Sequence, residues 1–228
     1  MTYMVVKFYK AFYLSEFHLK CIMQKIAGYR RVLKQLKELE KLSSMPRLAA
    51  ENWDKPWKTL ISTIMSARTR DEVTIPIADK LFKRYRTPKN LAEARLKDVQ
   101  NTIRPVNFYR NKSKNIVNCA KALVENYNGK PPHDFDKLLE LAGVGRKTAN
   151  VFLSEMGKDA IGIDTHVSYI SQKLRWTRNK DPKKIEEDLR RLFPKRYWRK
   201  INPVLVRFGK THTSRKKKDE ILDRIRKI

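Results

Sequence analysis

Two residues in this chain combine a reactive side chain with surroundings that could make it work. Lys147 stands in the string Gly145-Arg146-Lys147-Thr148-Ala149-Asn150, and Asp164 in Ile163-Asp164-Thr165-His166-Val167, 164 − 147 = 17 residues further on. A lysine in the first turn of a helix meets the positive end of the helix dipole, and the Arg146 guanidinium adjoins it. Both disfavour an ammonium, and partial burial adds to the effect. An amine held neutral can attack an electrophilic carbon and form a covalent intermediate. The same position suits a lysine that only holds a phosphate, so the residue reads two ways. Asp164 precedes the apolar stripe Val167, Ile170 and Leu174 and is expected to cap that helix. A capping carboxylate is rigidly held, as one facing a developing cation must be, so cap and catalyst are compatible. His166 has no partner at metal-ligand spacing and reads as structural.

The elements that must position this pair are legible nearby. Asp134 is expected to cap a helix whose Leu138, Leu139, Leu141 and Ala142 form one stripe, with Gly143 ending it in the left-handed conformation. Val144 and Gly145 complete a tight turn. A second helix then begins near Arg146, with Ala149, Phe152, Leu153 and Met156 on its buried face. Such a turn presents free backbone N–H groups at a helix N-terminus, which suits phosphate. Gly143, Val144, Gly145 and Arg146 are therefore candidate phosphate-binding residues.

Composition points the same way. Lys and Arg number 52 against 24 Asp and Glu, a formal net charge of +28 on 228 residues. A charge that large gives salt-dependent, sequence-blind affinity for a polyanion. Hydrophobic residues at 41% suffice for a real core, which excludes a disordered basic tail. The opening MTYMVVKFYKAFYL is broken by Lys7 and Lys10, so it suggests neither a membrane span nor a signal peptide, and an intracellular protein is expected. The only cysteines, Cys21 and Cys119, are far apart and read as small hydrophobes.

Most of the chain carries helical periodicity. A helix is expected over Ile22 to Leu42, and one starting at Pro56 should bury Leu60, Ile61, Ile64 and Met65. The next is expected near Thr74, with Pro76 in its first turn. Asn90 should cap a short helix over Leu91 to Ala94, and Asn111 or Ser113 a long one ended by Asn128-Gly129. Asp181-Pro182 should start a helix stopped by Pro194, and a last one carries Ile221, Leu222 and Ile225. Only Tyr3 to Phe8 alternates like a strand. The expected class is all-α.

The segment Leu141-Ala142-Gly143-Val144-Gly145-Arg146-Lys147-Thr148-Ala149-Asn150-Val151 with Ile163-Asp164-Thr165-His166 resembles the helix-hairpin-helix of the endonuclease III family of DNA glycosylases. That pattern reads L-P-G-V-G-R-K-T-A-N-V, and only its proline is replaced, by Ala142. The resemblance runs from about Pro56 to Lys210. It implies a six-helix lobe over 50–160 that ends in the hairpin, and a second helical lobe from 1–49 and 161–228. It also implies a cleft between them for a flipped nucleotide.

On this likeness Lys147 is the nucleophile and Asp164 the essential carboxylate. Ser66-Ala67-Arg68-Thr69-Arg70-Asp71 matches a loop whose glutamine fills the duplex opposite the extruded base, and Arg68 takes that place here. Val106-Asn107-Phe108-Tyr109-Arg110-Asn111-Lys112 matches the family's I-G-[LF]-Y-N-x-K, making Phe108 the wedge and Tyr109 and Lys112 its DNA-facing neighbours. The implied partner is double-stranded DNA containing damaged bases or abasic sites, bound by a monomer with no membrane involved. The implied reaction is a bifunctional glycosylase/lyase acting on oxidised pyrimidines. The same machinery could instead serve 8-oxoguanine or uracil and thymine opposite guanine, and a DNA-binding module without catalysis also stays open.

The chain departs from the family at Arg207 to Lys216, where relatives hold a [4Fe–4S] cluster on cysteines and this sequence has none. The expected chemistry requires no cofactor. Packing of Trp198, Ile201, Leu205, Phe208, Ile221, Leu222 and Ile225 is expected to replace the cluster, and Arg215-Lys216-Lys217-Lys218 to supply its phosphate contacts. Purified protein should therefore be colourless and free of iron, as elemental analysis would report; a stoichiometric four irons per chain would overturn this reading.

Overall fold

The computed structural model describes residues 28–228. The strand-like Tyr3 to Phe8 stretch and Cys21 lie outside these. Among the described residues every regular element is a helix, and no helix is long and apolar enough to cross a membrane. Helix α1 runs through 28–41. It is followed by α2 (Pro56–Ser66), α3 (Asp71–Arg84), α4 (Pro88–Ala92), α5 (Leu96–Thr102), α6 (Tyr109–Tyr127), α7 (Phe135–Leu139) and α8 (Arg146–Glu155). Then come α9 (Thr165–Lys173), α10 (Pro182–Leu192), a 3-10 turn at Lys195–Tyr197, α11 (Trp198–Thr211) and α12 (Arg215–Arg226).

The apolar faces of these helices gather into two cores. One collects buried side chains from Trp57 to Ala160, so it is built by α2–α8. The other joins Val32, Leu36 and Leu39 of α1 to residues from Ile161 to Ile225. In the second core Ile201, Leu205, Phe208, Leu222 and Ile225 are buried, with Trp198 and Ile221 packed against them, so apolar contacts hold this part of the chain as the sequence suggests. A buried polar network also spans this core. Trp176 Nε1 donates to Gln35 Oε1 at 2.7 Å, and Gln35 Nε2 donates to the Ile225 carbonyl at 3.2 Å, so one buried amide ties α1 to α12.

Local rules set most helix starts. Pro56 and Pro182 occupy first-turn positions. Asp134, Asp164 and Asp181 each accept from the backbone N–H three residues on. Four details differ from expectation. First, α3 starts at Asp71, where two acidic residues meet the positive helix end, which leaves Pro76 inside the helix. Thr87, not Asn90, caps α4, its hydroxyl accepting from Asn90 N at 3.1 Å. Neither Asn111 nor Ser113 caps α6: Phe108 holds that position with φ 59°, and the Ser113 hydroxyl turns back to the Arg110 carbonyl. Finally, α7 stops at Leu139, which is 40% exposed, so the expected stripe is broken and Gly143 sits in the following turn.

Candidate active site and nucleic-acid interface

The hairpin turn depends on Gly143, whose φ is +79°. A Cβ there would also lie 2.8 Å from Asn115 Cβ and 3.2 Å from Ile64 Cγ2, so the turn can rest on α6 and α2 only without a side chain. Val144 is buried in the first core, and its N–H bonds to the Leu141 carbonyl at 3.0 Å. It is thus unavailable to a phosphate, contrary to expectation. Gly145 is the N-cap of α8 and no side chain caps this helix. The donors that the helix geometry leaves for an anion are those of Gly145 and the first turn of α8.

Lys147 occupies the second position of α8, half-buried, and faces a cleft of about 740 Å³. Asp164 lines the same cleft. Its Oδ1 accepts from Val167 N at 2.8 Å, which fixes the carboxylate at the N-terminus of α9. The cleft thus brings the amine and the carboxylate together, from elements on the two sides of the molecule. Arg68 and Thr69 from the loop after α2, and Val206 and Lys210 from α11, complete its walls.

Charge pairs join the two sides. Glu186, on α10 and 2% exposed, accepts from Arg146 Nε at 3.0 Å and from Asn150 Nδ2 at 2.9 Å, both on α8, and pairs with Arg190 at 2.8 Å. Arg207 of α11 reaches both Glu51 oxygens at 2.7 Å. Lys210 of α11 pairs with Asp71 at the start of α3. Apart from the i, i+4 pair Glu186–Arg190 within α10, none of these contacts was visible in the sequence, because their partners lie 36 to 156 positions apart. The matched string that contains Asp71 was the one available hint.

Several expected DNA contacts therefore change role. The Arg146 side chain bonds Glu186 through Nε and lies 4.9 Å from the Phe135 ring, so the guanidinium also serves the fold while 39% of the side chain stays exposed. Lys112 is buried at 7% exposure. Its ammonium donates to the carbonyls of Met65 and Ala67 and to Thr69 Oγ1, which takes all three of its donors. Desolvation pushes its pKa down to about 8, the nearby Lys147 charge adding to the shift. Tyr109 packs half-buried against the first core. Lys218 donates to the Gly209 carbonyl at 3.1 Å and is half-buried, whereas Arg215, whose guanidinium lies 5.5 Å from the Tyr169 ring, Lys216 and Lys217 are exposed.

Two expected residues do face outward. Arg68 is exposed with φ 55°, and Phe108 is 59% exposed with φ 59°. The Arg68 guanidinium lies 5.9 Å from the Phe108 ring. His166 packs on α11 so closely that a Cβ at Gly209 would fall 2.1 Å from its Nδ1. Burial lowers its pKa, opposed by Asp164 and helped by Lys218 and Lys210.

The residues present do not fit an iron–sulfur cluster. The segment 207–216 has no thiolate, and its side chains are used in packing: His212 lies 4.6 Å from the Phe208 ring, and Thr211 bonds Ser44. Cys119 is buried in the first core, where desolvation pushes its thiol pKa up to about 12. Among the described residues no group of three or more His, Cys, Asp or Glu could hold a metal ion.

Comparison with known proteins agrees with this geometry. The family model "HhH-GPD superfamily base excision DNA repair protein" matches residues 61–195. The chain is 44% identical over 156 residues to endonuclease III of Thermotoga maritima, covering 68% of this chain and 73% of the relative. It is 37% identical over 159 residues to endonuclease III of Bacillus subtilis, covering 69% and 73%. Among solved structures, a trapped endonuclease III–DNA covalent intermediate superposes with a TM-score of 0.74 at 33% identity, covering 82% of this chain and 88% of that one. A thermostable thymine-DNA glycosylase shares the fold, with a TM-score of 0.73 at 18% identity.

Glu186 makes the first prediction from this geometry. Replacing it by glutamine keeps the size but removes the charge facing two arginines, and should cost about 2–3 kcal/mol in a denaturant titration. A variant as stable as the wild type would show that the pair does not hold α8 to α10.

Proposed function

The chain belongs to the HhH-GPD superfamily of base excision DNA repair proteins and, within it, to the endonuclease III family, and we propose that Lys147 and Asp164 are its catalytic pair. The protein is a DNA glycosylase with abasic-site lyase activity, working in base excision repair. Its substrates are damaged pyrimidines, oxidised ones first. The observation that carries this reading is the shared cleft: an amine at the N-terminus of the hairpin helix and a capped, immobile carboxylate both face it.

In this mechanism the hairpin's free N–H groups hold a phosphate of the damaged strand. The nucleotide turns out of the stack into the cleft, while Phe108 and Arg68 enter the duplex in its place. Lys147 Nζ attacks C1′ as the glycosidic bond to the base breaks, and the base departs with the electron pair. Asp164 stabilises the positive charge that develops on the sugar and assists the loss of the lysine proton. The sugar ring opens to a Schiff base between Lys147 and C1′. Loss of a C2′ proton then expels the 3′ phosphate, which nicks the strand by β-elimination. Both residues come from one chain, so the site is complete in a monomer.

Borohydride trapping tests the assignment. Wild-type protein should form a covalent adduct with duplex DNA containing an oxidised pyrimidine, whereas Lys147→Ala should bind that DNA and give none. Asp164→Asn keeps a capping oxygen, so its thermal midpoint should hold while turnover falls by about two orders of magnitude or more. An active Lys147→Ala would sink the nucleophile. Turnover within about three-fold of wild type for Asp164→Asn would leave the carboxylate as a cap only. A cleavage panel that adds 8-oxoguanine and guanine-mismatched uracil and thymine decides the substrate class: preference for any of these over oxidised pyrimidines would replace it.

A further inference from the structure

Two loops stand at the mouth of the cleft, residues 66–70 after α2 and 103–108 before α6. Each carries one bulky residue in the left-handed backbone region, Arg68 at φ 55° and Phe108 at φ 59°. A side chain is seldom found there unless its surroundings impose the conformation. The surroundings are a small hydrogen-bonded lattice. Asn107 Nδ2 donates to the Arg68 carbonyl at 2.6 Å, and Asn107 N donates to Thr69 Oγ1 at 3.2 Å. From the first turn of α6, Lys112 donates to Thr69 Oγ1 as well, at 3.1 Å, and to the carbonyls of Met65 and Ala67. Three carbonyls around the end of α2, those of Met65, Ala67 and Arg68, thus bond to residues flanking Phe108.

We propose that Lys112 and Asn107 are positioning residues that lock the two loops into one preformed insertion element, so that Arg68 and Phe108 enter the duplex together. The guanidinium already lies 5.9 Å from the exposed ring, side by side before any DNA is bound. An element ordered in advance loses little conformational freedom on insertion, so more of its contact energy is available to unstack the target. Burying a lysine ammonium under a loop is otherwise hard to understand, since a neutral residue would fill the space without desolvating a charge. Asn107 stands where the family pattern has glycine, and Arg68 where it has glutamine. The two departures touch each other through the 2.6 Å bond, as expected if the asparagine steadies a longer, charged side chain on this backbone. The inference rests on the reading of the cleft as the site that receives a flipped nucleotide.

The test uses the full chain as wild type, Asn107→Ala, Thr69→Val and Lys112→Met. Insertion is read as the fluorescence rise of 2-aminopurine placed beside a tetrahydrofuran abasic analogue in a duplex, at saturating protein. Chemistry is read as strand cleavage at a preformed abasic site in single-stranded DNA, where nothing has to be unstacked. All three variants should lose about three-fold or more of the fluorescence rise, and in Asn107→Ala cleavage of the single strand should stay within about two-fold of wild type; Thr69→Val, at the cleft wall, and Lys112→Met, whose ammonium lies near Lys147, are read by fluorescence alone. Asn107 is at the surface, so Asn107→Ala should keep the wild-type thermal midpoint even where Lys112→Met lowers it. A wild-type fluorescence rise in Asn107→Ala and Lys112→Met would overturn the proposal. So would an equal fall in both readouts, which would make these residues general supports of the fold. Should the wild type itself fail to cleave abasic DNA, the catalytic reading fails instead, and the fluorescence series still decides whether the lattice positions the loops.

Discussion

A buried carboxylate fixes the geometry on which the cleft depends. Glu186 is 2% exposed and carries its charge among Arg146 and Asn150 of α8 and Arg190 of its own helix. A carboxylate out of water is strongly unfavourable alone and tolerable only when its lone pairs are met by charged and neutral donors. Because two of those donors flank Lys147 on the hairpin helix, the requirement to satisfy Glu186 sets where the N-terminus of α8 lies. Asp164 is set separately, by capping α9 over the second core. The amine and the carboxylate thus meet because each is held by a different local rule, and α10 ties the two together.

The two loops proposed to enter DNA obey the opposite logic. There the backbone is strained at Arg68 and Phe108, each costing of order 1–2 kcal/mol relative to an ordinary conformation. On the proposed reading these side chains enter a duplex, so they cannot also be buried for their own stabilisation. The stabilisation is supplied from behind, by Lys112, Asn107 and Thr69. Rigid support beneath an exposed tip is the usual arrangement for a binding loop.

How much of this was readable in the sequence follows from the range of the interactions. Caps, prolines and the glycine turn act over a few residues, so Asp134, Asp164, Asp181, Pro56 and Gly143 declare themselves. The same local rules misassigned the start of α6, because Phe108 is held in the left-handed region by contacts with a loop about 40 residues earlier. They also sent Lys112 to the surface. A lysine four residues beyond an exposed wedge resembles a phosphate contact, and nothing nearby in sequence reveals the Met65 and Ala67 carbonyls that bury it. The internal partner of Arg146 was hidden for the same reason: Glu186 sits in an amphipathic helix that looks like any solvated charged stripe.

This redistribution changes what the net charge of +28 means. Several cations that sequence alone would assign to a polyanion are internal: Arg146, Arg190, Arg207, Lys112, Lys210 and Lys218 all have protein acceptors. Two of the ion pairs, Glu186–Arg146 and Asp71–Lys210, join helices of the first core to helices of the second, and a third, Glu51–Arg207, ties the segment before α2 to α11. Their strength depends on burial, and partly buried pairs are screened little by salt. Exposed cations such as Lys216 and Lys217 remain for phosphate, where each contact would add to the salt dependence of binding. Raising ionic strength should therefore weaken DNA affinity well before it loosens the cleft, because the charges that bind and the charges that hold the site are different residues.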